Sequence, residues 1–476
     1  MAGSVQGTPG FNLQPSSEQV ALSSNYITDF NFLNQYLPDT YEKEFERYGN
    51  RTVASFLRLV GAEMPSNSDL IKWAEQGRLH TKYVDVTCAA GAAAGSAVWT
   101  INDTLVPGGG SVAVRVGQTV MLTRNTGGKN LKAVVTNVNT ATGAVTLAYY
   151  GANHTPVATD KYTMFIYGSE FKKGTGGMVG SLEADDVFFE NKPIILKDKY
   201  AVSGSDMAQI GWVEVTTENG ANGYLWYLKS EHETRLRFDD YLETAMLEAV
   251  PASAASGAAK EFGNTGGTDG QGGSEGVFYS VSQRGNVWSG GNPNVLGDFD
   301  AIIQRLDKQG AIEENVMFVD RQFGFDIDDM LAAQNSYGAG GTSYGLFDND
   351  QEMALNLGFT GFRRGYDFYK SDWKYLNDPT MRGGLPTGVG SGRINGMLVP
   401  AGSTSVYDQI LGKNAKRPFL HVRYRASQTE DRRYKTWITG SAGGAATSDL
   451  DAMEVNFLSE RAVCTLGANN FFLFQE

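Results

Sequence analysis

Residues able to do chemistry are sparse in this chain, and their spacing argues against a catalytic centre. There are four histidines, His80, His154, His232 and His421, none close to another, and neither an HxH nor an HExxH spacing occurs. A histidine-based metal site needs such a pair on one face of an element. His232 sits inside a helical pattern, where it reads as a packed or solvated side chain. Asp326, Asp328 and Asp329 (FDIDDM) could hold a divalent cation through oxygen ligands. An Asp cluster at a helix start is also what the helix dipole and capping favour, and capping is the preferred reading. Glu231, Glu233, Asp239 and Asp240 could supply a glycosidase's two carboxylates. On a charged helix they read instead as a solvated face with i,i+4 partners, Glu231–Arg235 and Glu233–Arg237. The GNTGGTDGQGG run at 263–273, within the loop over residues 253–275, contains no lysine, and no strand feeds it and no helix start follows it closely, so it lacks the cation and dipoles of a phosphate cradle. No catalytic, cofactor-binding or metal-ligating residue is assigned, and no cofactor is expected.

One cluster has a sharper reading. Lys413, Lys416, Arg417, Arg423, Arg425, Arg432, Arg433 and Lys435 are offset in sequence only by Glu430 and Asp431. They suit salt-sensitive, sequence-independent contact with DNA, or pairing with an acidic neighbour. The first fifty residues offer such acids, Glu42, Glu44 and Glu46 among them. Pairing between subunits is favoured over DNA contact, with a solvated strand surface as the plain alternative. Phe188 and Phe189 are candidate anchors on a neighbouring subunit, because buried aromatics dominate interface energetics. Packing within their own subunit is the competing reading.

These residues must be positioned by elements the sequence announces. Residues 222–250 (NGYLWYLKSEHETRLRFDDYLETAMLEAV) lack proline and are rich in straight-chain helix formers, predicting a helix of about 40 Å. An extended, charged, hairpin-like stretch over 171–213 precedes it and the glycine-rich loop follows. Apolar spacing predicts helices over 41–59, 298–309 and 326–334, and a short one over 69–77 with Ser66 or Ser68 as its cap. Between residues 86 and 160 only Asp103 and Asp160 are acidic, and short alternating runs at 111–115, 119–124, 132–138, 144–149 and 162–167 recur between Gly, Asn and Pro. That predicts an inserted antiparallel barrel or sandwich. Strands are expected at 315–319, 359–375, 397–400, 419–425 and 454–474. Residues 1–35 read as an arm ordered by something else.

The 476 residues allow about three domains. The formal charge of −13 repels nucleic acid and anionic membranes on average. Cys88 and Cys464 make no disulfide framework, no apolar run is long enough for a membrane helix, and the first residues lack signal-peptide blocks. These features predict a soluble protein assembled in a cytoplasm.

Two stretches resemble a known family. Residues 451–472 (DAMEVNFLSERAVCTLGANNFF) are similar to the closing strands of tailed-phage major capsid proteins, where a leucine, polar, glutamate, arginine step precedes a strand and a glycine-alanine-asparagine turn. Residues 69–83 (DLIKWAEQGRLHTKY) resemble those of crAss-like phages in particular. The order of elements, arm, extended loop, spine helix, glycine-rich connection and mixed α/β region, is also similar. The resemblance implies an α+β fold of the Hong Kong 97 type. It implies an N-terminal arm and first helix (1–60), a lead-in (61–85), an inserted β module (86–168), an E-loop (169–215), a peripheral-domain spine helix with its glycine-rich connection (216–296), an axial domain (297–395) and return strands (396–476). It further implies a non-enzymatic shell subunit forming hexamers and pentamers around phage DNA, with portal, scaffolding and decoration proteins as partners. The rival readings are a carbohydrate-active enzyme with β modules and a β-rich tail-tube or adhesin protein.

Overall fold

The computed structural model describes residues 56–57, 62–78, 80–88, 95–102, 112–128, 130–151, 156–157, 159–180, 186–208, 214–216, 222–253, 256–258, 270–309, 312–336, 360–388, 390–401, 403–408, 413–442 and 446–476. Phe56 and Leu57 are helical, and the first two strands follow, β1 (Ala62–Ser66) and β2 (Ile71–Gln76). The expected helix over 69–77 is therefore a strand. The Ser68 side chain bonds the backbone of Leu70 instead of capping a helix. From Ile71 on, burial alternates with period two, and that pattern suits an extended chain lying on a core.

Six strands follow: β3 (Lys82–Cys88), β4 (Ser96–Ile101), β5 (Gln118–Arg124), β6 (Leu131–Asn139), β7 (Ala144–Tyr149) and β8 (Tyr162–Ser169). They close a barrel in the order β3-β4-β7-β6-β5-β8. Closure removes the sheet edges that a sandwich of this size would expose. Val86, Trp99, Leu122, Leu147 and Met164 fill its interior. The Trp99 indole nitrogen donates to the Tyr149 hydroxyl at 2.9 Å, so the one polar atom of that ring is satisfied. The run at 111–115 was expected as a strand. Val112 and Val114 are buried in the barrel, but Tyr83 Oη and Gln118 Oε1 accept the Ala113 and Arg115 backbone N–H groups that a ladder would have used.

Beyond the barrel come β9 (Asp186–Asn191), β10 (Ile194–Ser203), helix α1 (Gly204–Ala208), the short pair β11 (Glu214–Thr216) and β12 (Asn222–Tyr224), and helix α2 (Leu225–Glu248). The expected long helix thus starts three residues later, because 222–224 pair as a strand. At 24 residues it spans about 36 Å. Its Phe238, Leu242 and Met246 recur every fourth residue and are buried. The stretch 171–213 is not a hairpin with itself. β9 pairs antiparallel with β2, from Ile71↔Asn191 to Gln76↔Asp186, while β10 pairs with a strand at the far end of the chain. The barrel is therefore spliced into the tip of a two-stranded ribbon whose two legs lie more than a hundred residues apart in sequence.

The remainder contains α3 (Val277–Arg284), β13 (Asn286–Trp288), α4 (Leu296–Asp307), β14 (Glu314–Val319), α5 (Arg321–Ser336), β15 (Gly361–Arg364), β16 (Tyr366–Asp372), α6 (Lys374–Asn377), β17 (Ile394–Pro400), β18 (Ser403–Asp408), β19 (Lys413–Pro418), β20 (Leu420–Arg425), β21 (Lys435–Gly440), β22 (Ala452–Thr465) and β23 (Phe472–Gln475). One mixed sheet runs β13-β23-β17-β14-β16-β15. Phe299, Ile302 and Leu306 of α4 and Phe323 and Ile327 of α5 pack in one core with its Met317, Phe368 and Leu398. The other runs β1-β20-β22-β10, with β21 also on β22. The 14-residue β22 is its axis: β10 and β21 flank its first half and β20 its second.

Candidate assembly surfaces

The part of the basic run from Arg423 to Lys435 is gathered at one edge of the β22 sheet, and each cation there finds an acid or carbonyl within its own chain. Arg425 pairs with Asp69 and lies 3.9 Å from Glu460. Arg432 pairs with Glu460 at 3.0 Å, Lys435 with Glu430 at 2.8 Å, and Arg433 with Glu63. Arg423 donates to the Pro65 carbonyl at 3.4 Å. Arg461 reaches Glu63 at 3.4 Å and donates to the Arg433 carbonyl at 3.0 Å. Lys435 holds the Glu430 carboxyl below its usual range, and Asp69 raises the Arg425 guanidinium. The acids come from β1, from the turn after it and from the Ser459-Glu460-Arg461 step of β22. Sequence distance hid them, since only folding brings residue 63 beside residue 433. The lattice pins β1, a parallel edge strand in register from Ala62↔His421 to Ser66↔Arg425. Glu42, Glu44 and Glu46 lie outside the described residues, as do the side chains of Lys413, Lys416 and Arg417.

The ribbon's root is a second built surface. The Asn191 side chain is buried and fully used. Its amide donates to the carbonyls of Val463 at 2.7 Å and Glu275 at 2.9 Å, and its oxygen accepts from Ser274 Oγ at 3.0 Å and the Glu275 N–H at 2.7 Å. Arg284 stacks on Phe189 at 4.3 Å and on Trp73 at 5.6 Å, while pairing with Glu275 at 2.7 Å. Phe189 is thus held within its own chain. Phe188, on the opposite face of the strand, is 71% exposed. Cys464, buried close by, has its thiol pushed up to about 12 by desolvation.

The end of helix α2 is clamped in turn. Glu248 takes both arms of Arg382 and a 2.6 Å bond from Tyr375 Oη, and Arg382 lies 5.0 Å from the Phe278 ring. Burial raises the Tyr375 hydroxyl, so it stays a donor. The two described ends of the glycine-rich loop meet here: Ala252 N–H bonds the Gly272 carbonyl at 2.9 Å and Gly276 N–H the Ala249 carbonyl at 2.8 Å. The loop's centre lies outside the described residues.

Of the acid clusters, Asp326, Asp328 and Asp329 do not cap a helix. Helix α5 starts at Arg321, and Asp320 caps it, accepting the Phe323 N–H at 2.7 Å. Burial raises the Asp320 carboxyl although Arg393 stands 3.3 Å away. Asp328 pairs with Lys370 at 2.6 Å, and Asp326 accepts from Asn292 at 2.7 Å. On α2, Glu231 pairs with Arg235 at 3.5 Å as expected, but Arg237 turns to Asp198 of β10 at 3.0 Å. Among the described residues no group of His, Cys, Asp and Glu could hold a metal ion. A cleft of about 670 Å³ between α2 and the charge lattice is lined by Glu63, Asp239, Glu243 and Asp431 among others. Its Glu63 is taken by two arginines and its Glu243 by the Phe56 N–H at 3.0 Å.

No family model matches the chain, and no curated protein matches it. Several solved structures are similar to it, capsid structures among them. A chain of Microbacterium phage Oxtober96 is 10% identical, with 94% of this chain and 99% of that chain covered and a TM-score of 0.40. The capsid of a native GTA particle computed with C5 symmetry is 8% identical, covering 95% and 98%, at 0.39. The cyanophage Pam1 capsid asymmetric unit is 14% identical, covering 65% and 82%, at 0.35.

Proposed function

We propose that this chain is a non-enzymatic subunit of an icosahedral shell, the major capsid protein of a tailed phage with a Hong Kong 97-type fold, most similar to those of crAss-like phages. It self-assembles as hexamers and pentamers around double-stranded DNA, with portal, scaffolding and decoration proteins as further partners. It assembles in the bacterial host's cytoplasm and resides in the virion. The observation that carries the reading is the ribbon of β2 and β9. A two-stranded ribbon is marginal in water by itself, yet this one carries a whole barrel and presents Phe188 to solvent. Such an element gains its stability from a neighbour that covers it. The motifs at 69–83 and 451–472 and the clamped spine helix support the same reading, because a lattice subunit must transmit load from arm to body without bending. The lattice at the β22 edge binds the chain to itself, and we assign its solvent-facing cations, Arg432 and Arg433 above all, a secondary role toward neighbouring subunits or DNA.

The test is assembly. The purified chain, alone and with its phage's scaffold, is imaged by negative-stain microscopy across protein concentration and salt. Closed shells or five- and six-fold rings are expected, with nuclease-protected DNA when they form in cells. A monomer under every condition, or turnover of a polysaccharide by that monomer, would end the reading.

A further inference from the structure

Four exposed residues, Lys132, Tyr150, Tyr167 and Glu170, form one chain of contacts on the barrel wall made by β6, β5 and β8, which are consecutive in the closed order. Val120 lies opposite Ile166 and Thr119 opposite Gly168, so Tyr167 is the extra residue of a bulge in β8. Lys132 Nζ of β6 stands 5.7 Å from the centre of its ring. Tyr150, which follows β7, donates its N–H to the Lys132 carbonyl at 3.1 Å, and its hydroxyl donates to the Glu170 carboxylate. The Glu170 N–H bonds the Gly117 carbonyl at 2.8 Å, and the Phe171 ring lies against Gly117, where a Cβ would strike it. Lys172 and Lys173 come next, both exposed, in a turn closed by Thr175. The Thr175 N–H and Oγ1 both donate to the Lys172 carbonyl, at 3.3 and 2.7 Å. Tyr150, Tyr167 and Phe171 are 50%, 46% and 41% exposed, so each ring offers solvent a large share of its surface.

Among the described residues none of the three lysines, Lys132, Lys172 and Lys173, has an ion-pair partner. Residues 82–173 hold eight Lys and Arg against four Asp and Glu, a net +4 within a chain of −13. The patch's own acid, Glu170, is engaged by a tyrosine hydroxyl. The barrel is closed, so a partner cannot add a strand there and must be held by side chains. Exposed rings set among cations match the base faces and phosphates of an unpaired strand. A duplex keeps its base faces stacked, and this wall has no helix or ribbon to place in a groove. We propose that this wall binds single-stranded nucleic acid without sequence preference. Tyr150, Tyr167 and Phe171 stack on bases, and Lys132, Lys172 and Lys173 contact phosphates. The patch lies within one chain, so binding needs no second copy and is independent of shell formation.

The test titrates the full-length chain into a labelled oligothymidylate and into an abasic strand of equal length, read by fluorescence anisotropy at rising salt. The thymidylate should bind about tenfold more tightly than the abasic strand, or better. Tyr167→Ala should weaken its binding about fivefold or more, and Tyr167→Phe should retain it. Lys172→Ala with Lys173→Ala should weaken binding and lower the slope of log K against log salt by about 1.4, two phosphate contacts at about 0.7 each. All three side chains are exposed, so these variants keep the fold. No binding at low salt overturns the site, as does equal affinity for the abasic strand, which would reduce the contact to charge. Binding that survives Tyr167→Ala but is lost on Arg432→Ala with Arg433→Ala would overturn it too, by moving the contact to the β22 edge. Polyglutamate competing as well as unlabelled thymidylate would assign the patch to an acidic protein segment instead.

Discussion

Two arginines share Glu63, and their surroundings set very different consequences for losing each. The Arg461 side chain is 8% exposed and that of Arg433 55%. Removing a buried partner strands the remaining polar groups without water, whereas a solvated pair is mostly screened. Arg461→Ala should cost about 3 kcal/mol and Arg433→Ala less than about 1 kcal/mol, read from urea unfolding. Equal costs would mean that burial does not govern the lattice. Asn191 poses a similar question at the ribbon root. Asn191→Ala removes an amide bonded to Ser274, Glu275 and Val463, and should cost about 2–3 kcal/mol. Hydrogen exchange should show the β2 and β9 amides opening first, since that side chain ties the ribbon to the body.

Among the elements, the barrel has its own closed sheet and its own core, so it should fold as a unit. A fragment of residues 81–170 contains one tryptophan, Trp99, which is fully buried. Its fluorescence should report cooperative unfolding in the isolated fragment at a midpoint close to that of the barrel in the whole chain. A fragment without a transition would show that the barrel depends on the body. The turn after helix α2 depends on a glycine. Gly273 has φ +65°, and a Cβ there would collide with the Val250 carbonyl, whereas Gly272 has nothing within 4 Å. Gly273→Ala should cost about 1–3 kcal/mol and Gly272→Ala almost nothing, compared by thermal unfolding.

For the whole molecule, acid is the informative perturbation. Arg364 holds Asp300 below its ordinary range, Lys199 does so for Glu454, the Thr380 hydroxyl and N–H for Asp378, and the Gly388 N–H for Glu476. A carboxyl whose folded pKa is lowered stabilises the fold fully above its unfolded value, and that contribution disappears as pH falls through the folded one. Asp320 runs the other way: its raised pKa favours the protonated fold, and the gain is lost as pH rises through that value. Among the described residues these four and Glu430, lowered by Lys435, outnumber the one raised carboxyl, so the melting temperature should drop as pH falls below about 4. A melting temperature that climbs toward pH 2 would contradict this balance.

The sequence by itself determined the local elements. Helix α4 is legible because Phe299, Ile302 and Leu306 repeat at helical spacing, and the barrel because its strands alternate and its turns are marked by Gly and Asn. Tertiary structure decided the partners. Residues 69–77 carry a helix-compatible composition but became a strand because β9 was there to pair with them. The stretch 171–213 looked like one hairpin, yet its two strands joined different sheets. The basic run looked unpaired because Glu63 and Glu460 approach it only through folding. Periodicity is written in neighbouring residues, whereas strand pairing and ion pairing are free energies of contact between residues hundreds of positions apart, and no local pattern encodes which of several competent partners wins.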